Sequence, residues 1–265
     1  MIMINFFVFV FFYFSGIDTV NPLENTSWIL EKDGKIEVRI YSDSFFVSTL
    51  YDGNQFISTY GGFYSLGLKK VDILVEHEIE SNDGLNIEID MVLDGYNYPN
   101  YIEAIEFNST DSSYIGDTLN FSDFAHNFYF NENKSIYINE NRFIKLKHYD
   151  SKLNGSWLMS GIERGGEIRM RDVNRSRKTM KMLAGGRFQW IAYDIDKKGF
   201  YGTGGGIFTS ENGKYIENIE FFSRDNSKVG ISLAFNFEVK EGDWHHKGFS
   251  SKGDPKYEIW TQRKQ

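Results

Sequence analysis

The amino-acid sequence predicts an all-β protein built from two tandem antiparallel β-barrels, and three observations lead to that prediction. Apolar and polar residues alternate with a period of two in several segments, which places the apolar side chains on one face of a strand. Asx-Gly pairs recur between those segments, and such pairs supply the positive φ angles of tight hairpins. Pro is scarce at 3 residues, Gly is plentiful at 25, and aromatic residues make up 17% of the chain, which favours strands.

The alternation locates individual strands along the chain. It is clear at 36–40, at 87–93 and at 229–239, where every second residue is apolar. No long window has convincing helical periodicity. A short helix or irregular stretch is expected only at 175–183, where β-branched residues thin out.

Three blocks of the first half recur in the same order in the second half, which indicates a duplicated domain. The matching blocks are Asn25-Thr26-Ser27-Trp28 with Asn154-Gly155-Ser156-Trp157, Tyr51-Asp52 and Gly61-Gly62 with Tyr193-Asp194 and Gly205-Gly206, and Tyr101 to Phe107 with Tyr215 to Phe221. We therefore predict a first β-barrel at 21–150 and a second at 151–265. Trp28 and Trp157 are interpreted as structural residues that plug one end of each barrel.

Residues 1–20 are interpreted as a secretory signal segment. The apolar run from Phe6 to Phe14 is shorter than the roughly 20 residues of a membrane-spanning helix, and the small residues Ser15 and Gly16 follow it. No Lys or Arg precedes the run, so a buried first strand is the alternative. No later segment is apolar enough to span a bilayer. We therefore expect no transmembrane span and an exported protein, in the periplasm or outside the cell.

The overall charge and the absence of cysteine exclude several classes of function. The formal net charge of −8 argues against nucleic acid and anionic membrane as partners. Without cysteine there are no disulfides, thiolate nucleophiles or Cys-based metal sites. We expect neither a bound metal nor a cofactor, and the sequence leaves the oligomeric state open.

The second half carries a cluster of basic and aromatic side chains that the first half lacks. Arginine forks bind carboxylates and sulfates in bidentate geometry, and indole faces stack on sugar rings. The candidate ligand-binding residues are Arg177, Lys178, Arg187, Trp190, Arg224 and Trp244. The alternatives are a solvated strand face for the charges and core packing for the two indoles.

Candidate acid–base residues lie in the same half. His245 and His246 are adjacent, and adjacent residues on a strand point to opposite faces, so only one of them can enter a barrel. A histidine with a pKa near neutral is the usual proton shuttle. Tyr193 and Tyr201 are candidate acids. The alternative for the two histidines is a surface pair at a turn.

Five blocks of the second half, spread over 152–263, carry a resemblance to a known family. They are Asn154-Gly155-Ser156-Trp157, Arg187 to Tyr193, Gly202 to Gly206, Glu217 to Asp225 and Asp243-Trp244-His245-His246. The second half resembles a family of secreted or membrane-attached bacterial proteins with a lipocalin-like barrel, whose members look like companions of polysaccharide-degradation systems. A second likeness is to oligosaccharide dehydratases that act on uronic-acid sugars such as ulvan fragments. The first half lacks counterparts of Arg224, His245 and His246, so the resemblance implies a degenerate first copy and a functional second copy, both lipocalin-like.

These residues and the resemblance predict a carbon–oxygen lyase that acts on uronic-acid-containing oligosaccharides by β-elimination. In that reaction an arginine neutralises the uronate carboxylate, a histidine removes the C5 proton and a tyrosine protonates the leaving oxygen. The alternative is a non-catalytic lipocalin-like module that binds a small anionic ligand or a glycan without altering it. The partner expected in either case is an anionic oligosaccharide.

Overall fold

The computed structural model describes residues 21–67, 97–109, 125–131 and 134–264. The predicted signal segment and the strand expected at 87–93 lie outside the described residues. Eight antiparallel strands form a closed barrel in chain order. They are β1 (Thr26–Lys32), β2 (Lys35–Tyr41), β3 (Phe45–Asp52), β4 (Gln55–Gly67), β5 (Asn97–Asn108), β6 (Ala125–Asn131), β7 (Ser135–Ile138) and β8 (Asn141–Lys145).

A second, nine-stranded antiparallel sheet follows, in the order β10-β9-β11-β12-β13-β14-β15-β16-β17. Its strands are β9 (Gly155–Arg164), β10 (Glu167–Met170), β11 (Arg177–Ala184), β12 (Arg187–Asp194), β13 (Gly199–Glu211), β14 (Lys214–Phe222), β15 (Ser232–Lys240), β16 (Asp243–Phe249) and β17 (Pro255–Gln262). Strand β9 pairs with both β11 and β17, so this sheet also closes on itself. The prediction of an all-β fold with two antiparallel barrels is confirmed.

The expectation of a helix or irregular stretch at 175–183 is wrong, because β11 occupies most of that stretch. Met180 and Met182 pack into an apolar cluster shared with the first barrel. Lys181 and Leu183 face the interior of their own barrel, where Leu183 belongs to a separate cluster. Both faces of the strand are therefore buried. Such a strand lacks the apolar–polar alternation by which a half-exposed strand is recognised.

The two barrels share one apolar cluster, so their interface is a core rather than a loose contact. Val38, Ile40 and Phe107 of the first barrel pack in it with Met180 and Met182 of the second. All five are at most 4% exposed.

Two matching contacts of tyrosine, phenylalanine and glutamate show that the barrels meet through the same surface. The hydroxyl of Tyr51 donates to Glu220 Oε2 at 3.0 Å, and its ring lies 5.4 Å from that of Phe221. In the reverse direction the hydroxyl of Tyr193 donates to Glu106 Oε2 at 2.8 Å, and its ring lies 4.9 Å from that of Phe107. These residues occupy matching positions of the repeat, so the interface has approximate twofold symmetry.

Each Gly-Gly pair of the repeat lies opposite a β-bulge, and that bulge positions one of the two glutamates of this interface. Gly61 pairs with Phe107 and Gly62 with Ile105, which leaves Glu106 as the extra residue of a β-bulge. The same register shift at Gly205 and Gly206 leaves Glu220 as the extra residue. A Cβ on Gly61 would lie 2.5 Å from the carbonyl oxygen of Phe46, so this close approach requires glycine.

The register also defines a matching row of residues across four neighbouring strands in each barrel. The row of the first barrel is Trp28, Arg39, Ser48 and Tyr60. The row of the second barrel is Trp157, Lys181, Trp190 and Gly204. The two barrels thus share a backbone plan but differ in the side chains that they place inside it.

Candidate functional site

A buried lysine lies at the centre of the second barrel. The Nζ of Lys181 is 2.6 Å from Glu217 Oε1, and both residues are at most 5% exposed. The same Nζ lies 5.2 Å from the ring centroid of Trp244 and 5.0 Å from that of Trp260, within cation–π range. Burial lowers the pKa of Lys181, and the Glu217 carboxylate opposes that shift. Lys181 and Glu217 thus form a buried ion pair beside aromatic rings.

His246 is the histidine that enters this barrel. It is fully buried, and its Nδ1 lies 3.4 Å from Glu258 Oε2. Lys256 Nζ lies 3.1 Å from the other oxygen of Glu258. The two buried carboxylates near His246, those of Glu258 and Glu217, are thus each paired with a lysine. Burial, together with the charge of Lys181, lowers the pKa of His246 to about 4. The imidazole is therefore neutral near neutral pH.

The neutral His246 makes the stability of the protein dependent on pH. The unfolded chain takes up a proton below its ordinary pKa of 6.5, whereas the folded protein takes it up only near pH 4. The contribution of the neutral His246 to the free energy of unfolding is therefore fully present above pH 6.5, and it is lost as the pH drops towards 4. Between pH 7 and pH 5 we expect a loss of about 2 kcal/mol from this group, measured by urea unfolding.

The matched variants are His246→Phe and His245→Phe. The first should remove this part of the pH dependence, and the second should keep it. The carboxylates of Glu217 and Glu258, whose pKa values are lowered, titrate at a more acid pH and do not contribute in this window. Equal pH dependence in the two variants would contradict the assignment.

Four of the sequence-predicted residues lie in contact at the end of the second barrel where β11 begins and β14 ends. The guanidinium of Arg177 lies 3.3 Å from the ring centroid of Tyr201. Arg224 Nε donates to the backbone oxygen of Tyr201 at 2.6 Å, and its guanidinium lies 5.7 Å from the ring of Trp190. We call Arg177, Trp190, Tyr201 and Arg224 the arginine–aromatic rim. Neither of its arginines forms a salt bridge within the described part of the chain.

The remaining predicted binding residues lie elsewhere. Arg187 pairs with Glu220 at the interface between the barrels. Lys178 donates to the backbone oxygens of Val173 and Arg175, and burial lowers its pKa. Trp244 is buried in the barrel interior, in agreement with the core-packing alternative.

The candidate acid–base residues are placed in separate environments. Tyr193 is buried between the barrels, where burial and the Glu106 carboxylate raise its pKa. His245 lies on the strand face opposite to His246, and its Nδ1 is 2.8 Å from the hydroxyl of Tyr257. Tyr201 belongs to the rim. Tyr193 is thus held by interface contacts, and His246 is enclosed among aromatic rings.

A cavity of about 310 Å³ that the sequence did not predict lies in the first barrel, lined by residues of β2, β3, β4, β7 and β8 and of the turn after β7. We call it the first-barrel cup. Arg39 lines it and is only 5% exposed. The available signal was the charged pair Glu37 and Arg39, which alternates with apolar residues in β2. Such alternation is typical of a strand whose polar face is solvated, but here the side chains of Glu37 and Arg39 face the barrel interior.

The comparisons with known proteins provide no family. No family model matches the chain, and no curated protein matches it. Among solved structures, the DnaN sliding clamp of Bartonella birtlesii, bound to griselimycin, aligns with 8% identity and a TM-score of 0.14. The alignment covers 93% of this chain and 58% of the clamp chain.

Among the described residues, no group of three or more His, Asp or Glu side chains is arranged to hold a metal ion. The same residues include no helix with the length and hydropathy needed to cross a membrane.

Proposed function

We propose that this protein binds an anionic oligosaccharide at the arginine–aromatic rim and does not chemically alter it. The observation that carries the proposal is the contact series of Arg177, Tyr201, Arg224 and Trp190. It places two guanidinium groups and two aromatic rings at one end of a barrel.

Charge and exposure support an anionic ligand at the rim. Arg224 is exposed, whereas Arg177, Tyr201 and Trp190 are half-buried, so the guanidinium groups are held against rings but still reach solvent. A guanidinium offers paired donors to a carboxylate or a sulfate. The indole of Trp190 adds an apolar face of the kind on which sugar rings stack. A uronic-acid oligosaccharide combines these two features.

Binding is favoured over β-elimination because only Tyr201, of the four candidate acid–base residues, belongs to the rim. His246 is enclosed in the barrel, and Tyr193 is buried between the barrels and bonded to Glu106. His245 lies on the opposite strand face, with its Nδ1 2.8 Å from the hydroxyl of Tyr257. Direct proton transfer requires a base within hydrogen-bond reach of the substrate proton. The lyase activity and the export of the protein stay predictions.

The test is isothermal titration of the full chain with trigalacturonate, and with neutral cellotriose for comparison. We expect saturable binding of trigalacturonate, and an Arg224→Met variant should lose about tenfold in affinity, because a charge-assisted hydrogen bond contributes roughly 1.5–3 kcal/mol. Lys240→Met is the matched control, because Lys240 is an exposed cation at the opposite end of the sheet from Phe222. Its affinity should equal that of the wild type.

Two outcomes would overturn the proposal. The first is equal affinity of the wild type and Arg224→Met for trigalacturonate. The second is the appearance of an unsaturated product in the mass spectrum after incubation, which would restore the β-elimination hypothesis.

A further inference from the structure

We propose that the first-barrel cup is a second binding site, which takes a neutral polyhydroxylated ligand of about the size of one sugar ring. This goes beyond the anionic ligand proposed for the rim, because it assigns a separate site to the barrel that the sequence indicates to be degenerate.

The matching rows of the two barrels pair large and small side chains in opposite order. Ser48 of the first barrel occupies the position that Trp190 holds in the second. In the second barrel the indole of Trp190 lies over Gly204, where even a Cβ would come within 2.8 Å of it. In the first barrel the small Ser48 pairs with the large Tyr60, and both residues line the cup.

The polar groups of the cup are fixed before any ligand arrives. Arg39 Nε donates to Glu37 Oε1 at 3.0 Å, and the hydroxyl of Ser48 donates to the same carboxylate oxygen at 2.6 Å. Arg39 also donates to the hydroxyls of Tyr41 and Tyr60. Such a network holds its donors and acceptors in one geometry, which lowers the entropic cost of binding.

The charges on the described residues that line the cup cancel, and this favours a neutral ligand. The Arg39 guanidinium and the Glu37 carboxylate, the two charged groups among the described lining residues, form an ion pair within the cup wall, so these residues present no net charge to an anion or a cation. The side chains of Ser58 and Asn141 add a hydroxyl and an amide at other parts of the wall. Hydroxyl groups of a ligand act as donors and acceptors at once, so they suit such a mixed wall.

Apolar side chains form the smaller part of the cup wall. Phe143 lines the cup, and the Arg39 guanidinium lies 5.0 Å from its ring centroid. Leu50 and Ile138 line the cup as well. Small-molecule pockets combine apolar walls with a few fixed polar groups and have volumes of about 300–1,000 Å³. A volume of about 310 Å³ is at the lower end, which favours a single ring.

The test uses the full chain and the probes glucose, galactose, mannose and N-acetylglucosamine, observed by saturation-transfer-difference NMR and then titrated. We expect saturable binding of at least one probe. Ser58→Leu should fill the cup and lower that affinity at least about tenfold. Ser65→Leu is the matched control, because Ser65 lies on the same strand, is exposed and does not line the cup. Its affinity should not change.

A second variant distinguishes a loss of binding from a loss of folding. Asn141→Ala removes an amide from another part of the wall and should also weaken binding about tenfold, with the thermal midpoint close to that of the wild type. Arg224→Met should leave binding of the neutral probe unchanged, which separates this site from the rim. The proposal is overturned if none of the four probes binds saturably, or if both cup variants bind as the wild type does.

Discussion

Replacing Lys181 by methionine should lower the free energy of unfolding by about 3–5 kcal/mol, because it leaves the buried Glu217 carboxylate without its cation. Methionine fills a similar volume, so the loss comes from the charge and not from a cavity. Removing one partner of a buried ion pair costs far more than the pair contributes. The change should be visible in urea unfolding and as a fall of roughly 10 °C in the thermal midpoint.

The control for Lys181 is the double variant Lys181→Met with Glu217→Leu. Replacing both partners by apolar side chains is often neutral, so the double variant should recover most of the lost stability. The interpretation fails if the single variant is within about 1 kcal/mol of the wild type, or if the double variant is as unstable as the single one.

Replacing Glu106 by alanine should also cost about 3–5 kcal/mol, because Glu106 joins the two barrels through a buried charge network. Arg263 donates to both of its carboxylate oxygens at 2.7 Å, and the hydroxyl of Tyr193 donates at 2.8 Å. All three residues are at most 9% exposed. Without Glu106, the guanidinium of Arg263 keeps its charge in an apolar interface, over the ring of Phe45.

The matched control is Glu220→Ala, at the equivalent bulge of the second barrel. Glu220 accepts from Tyr51 and pairs with Arg187, but its side chain is 28% exposed, whereas that of Glu106 is 8% exposed. Water can therefore replace its lost contacts, and the cost should be about 1 kcal/mol. Glu106→Gln, which keeps an acceptor for Tyr193, should fall between the two alanine variants. Equal losses for Glu106→Ala and Glu220→Ala would show that burial does not decide the effect.

The repeated blocks predicted the duplicated barrels, but their side chains have a further role that the sequence does not reveal. The repeated tyrosines, Tyr51 and Tyr193, and the repeated Gly-Gly pairs form the interface between the barrels. From the sequence alone, Tyr193 is a candidate acid because it lies in the same half as a basic cluster. Its phenol is instead bonded to Glu106, which is 87 positions away in the chain.

Only part of the candidate site could be predicted from the sequence. Side-chain chemistry alone marks four residues as candidates, and the structure brings them into contact: Arg177, Trp190, Tyr201 and Arg224. The strand period showed that only one of the two histidines enters the barrel. It did not show which one, because that depends on the register of β16 against β15 and β17.

The sequence by itself determined the class of fold, since alternation and Asx-Gly turns are local properties that a strand and its hairpin express directly. The tertiary structure alone decided which polar side chains are buried, where Glu106 finds Arg263 and where the first barrel leaves a cup. These features depend on contacts between residues far apart in the chain. A charged residue in an alternating strand looks the same in the sequence whether its face meets water or the inside of a barrel.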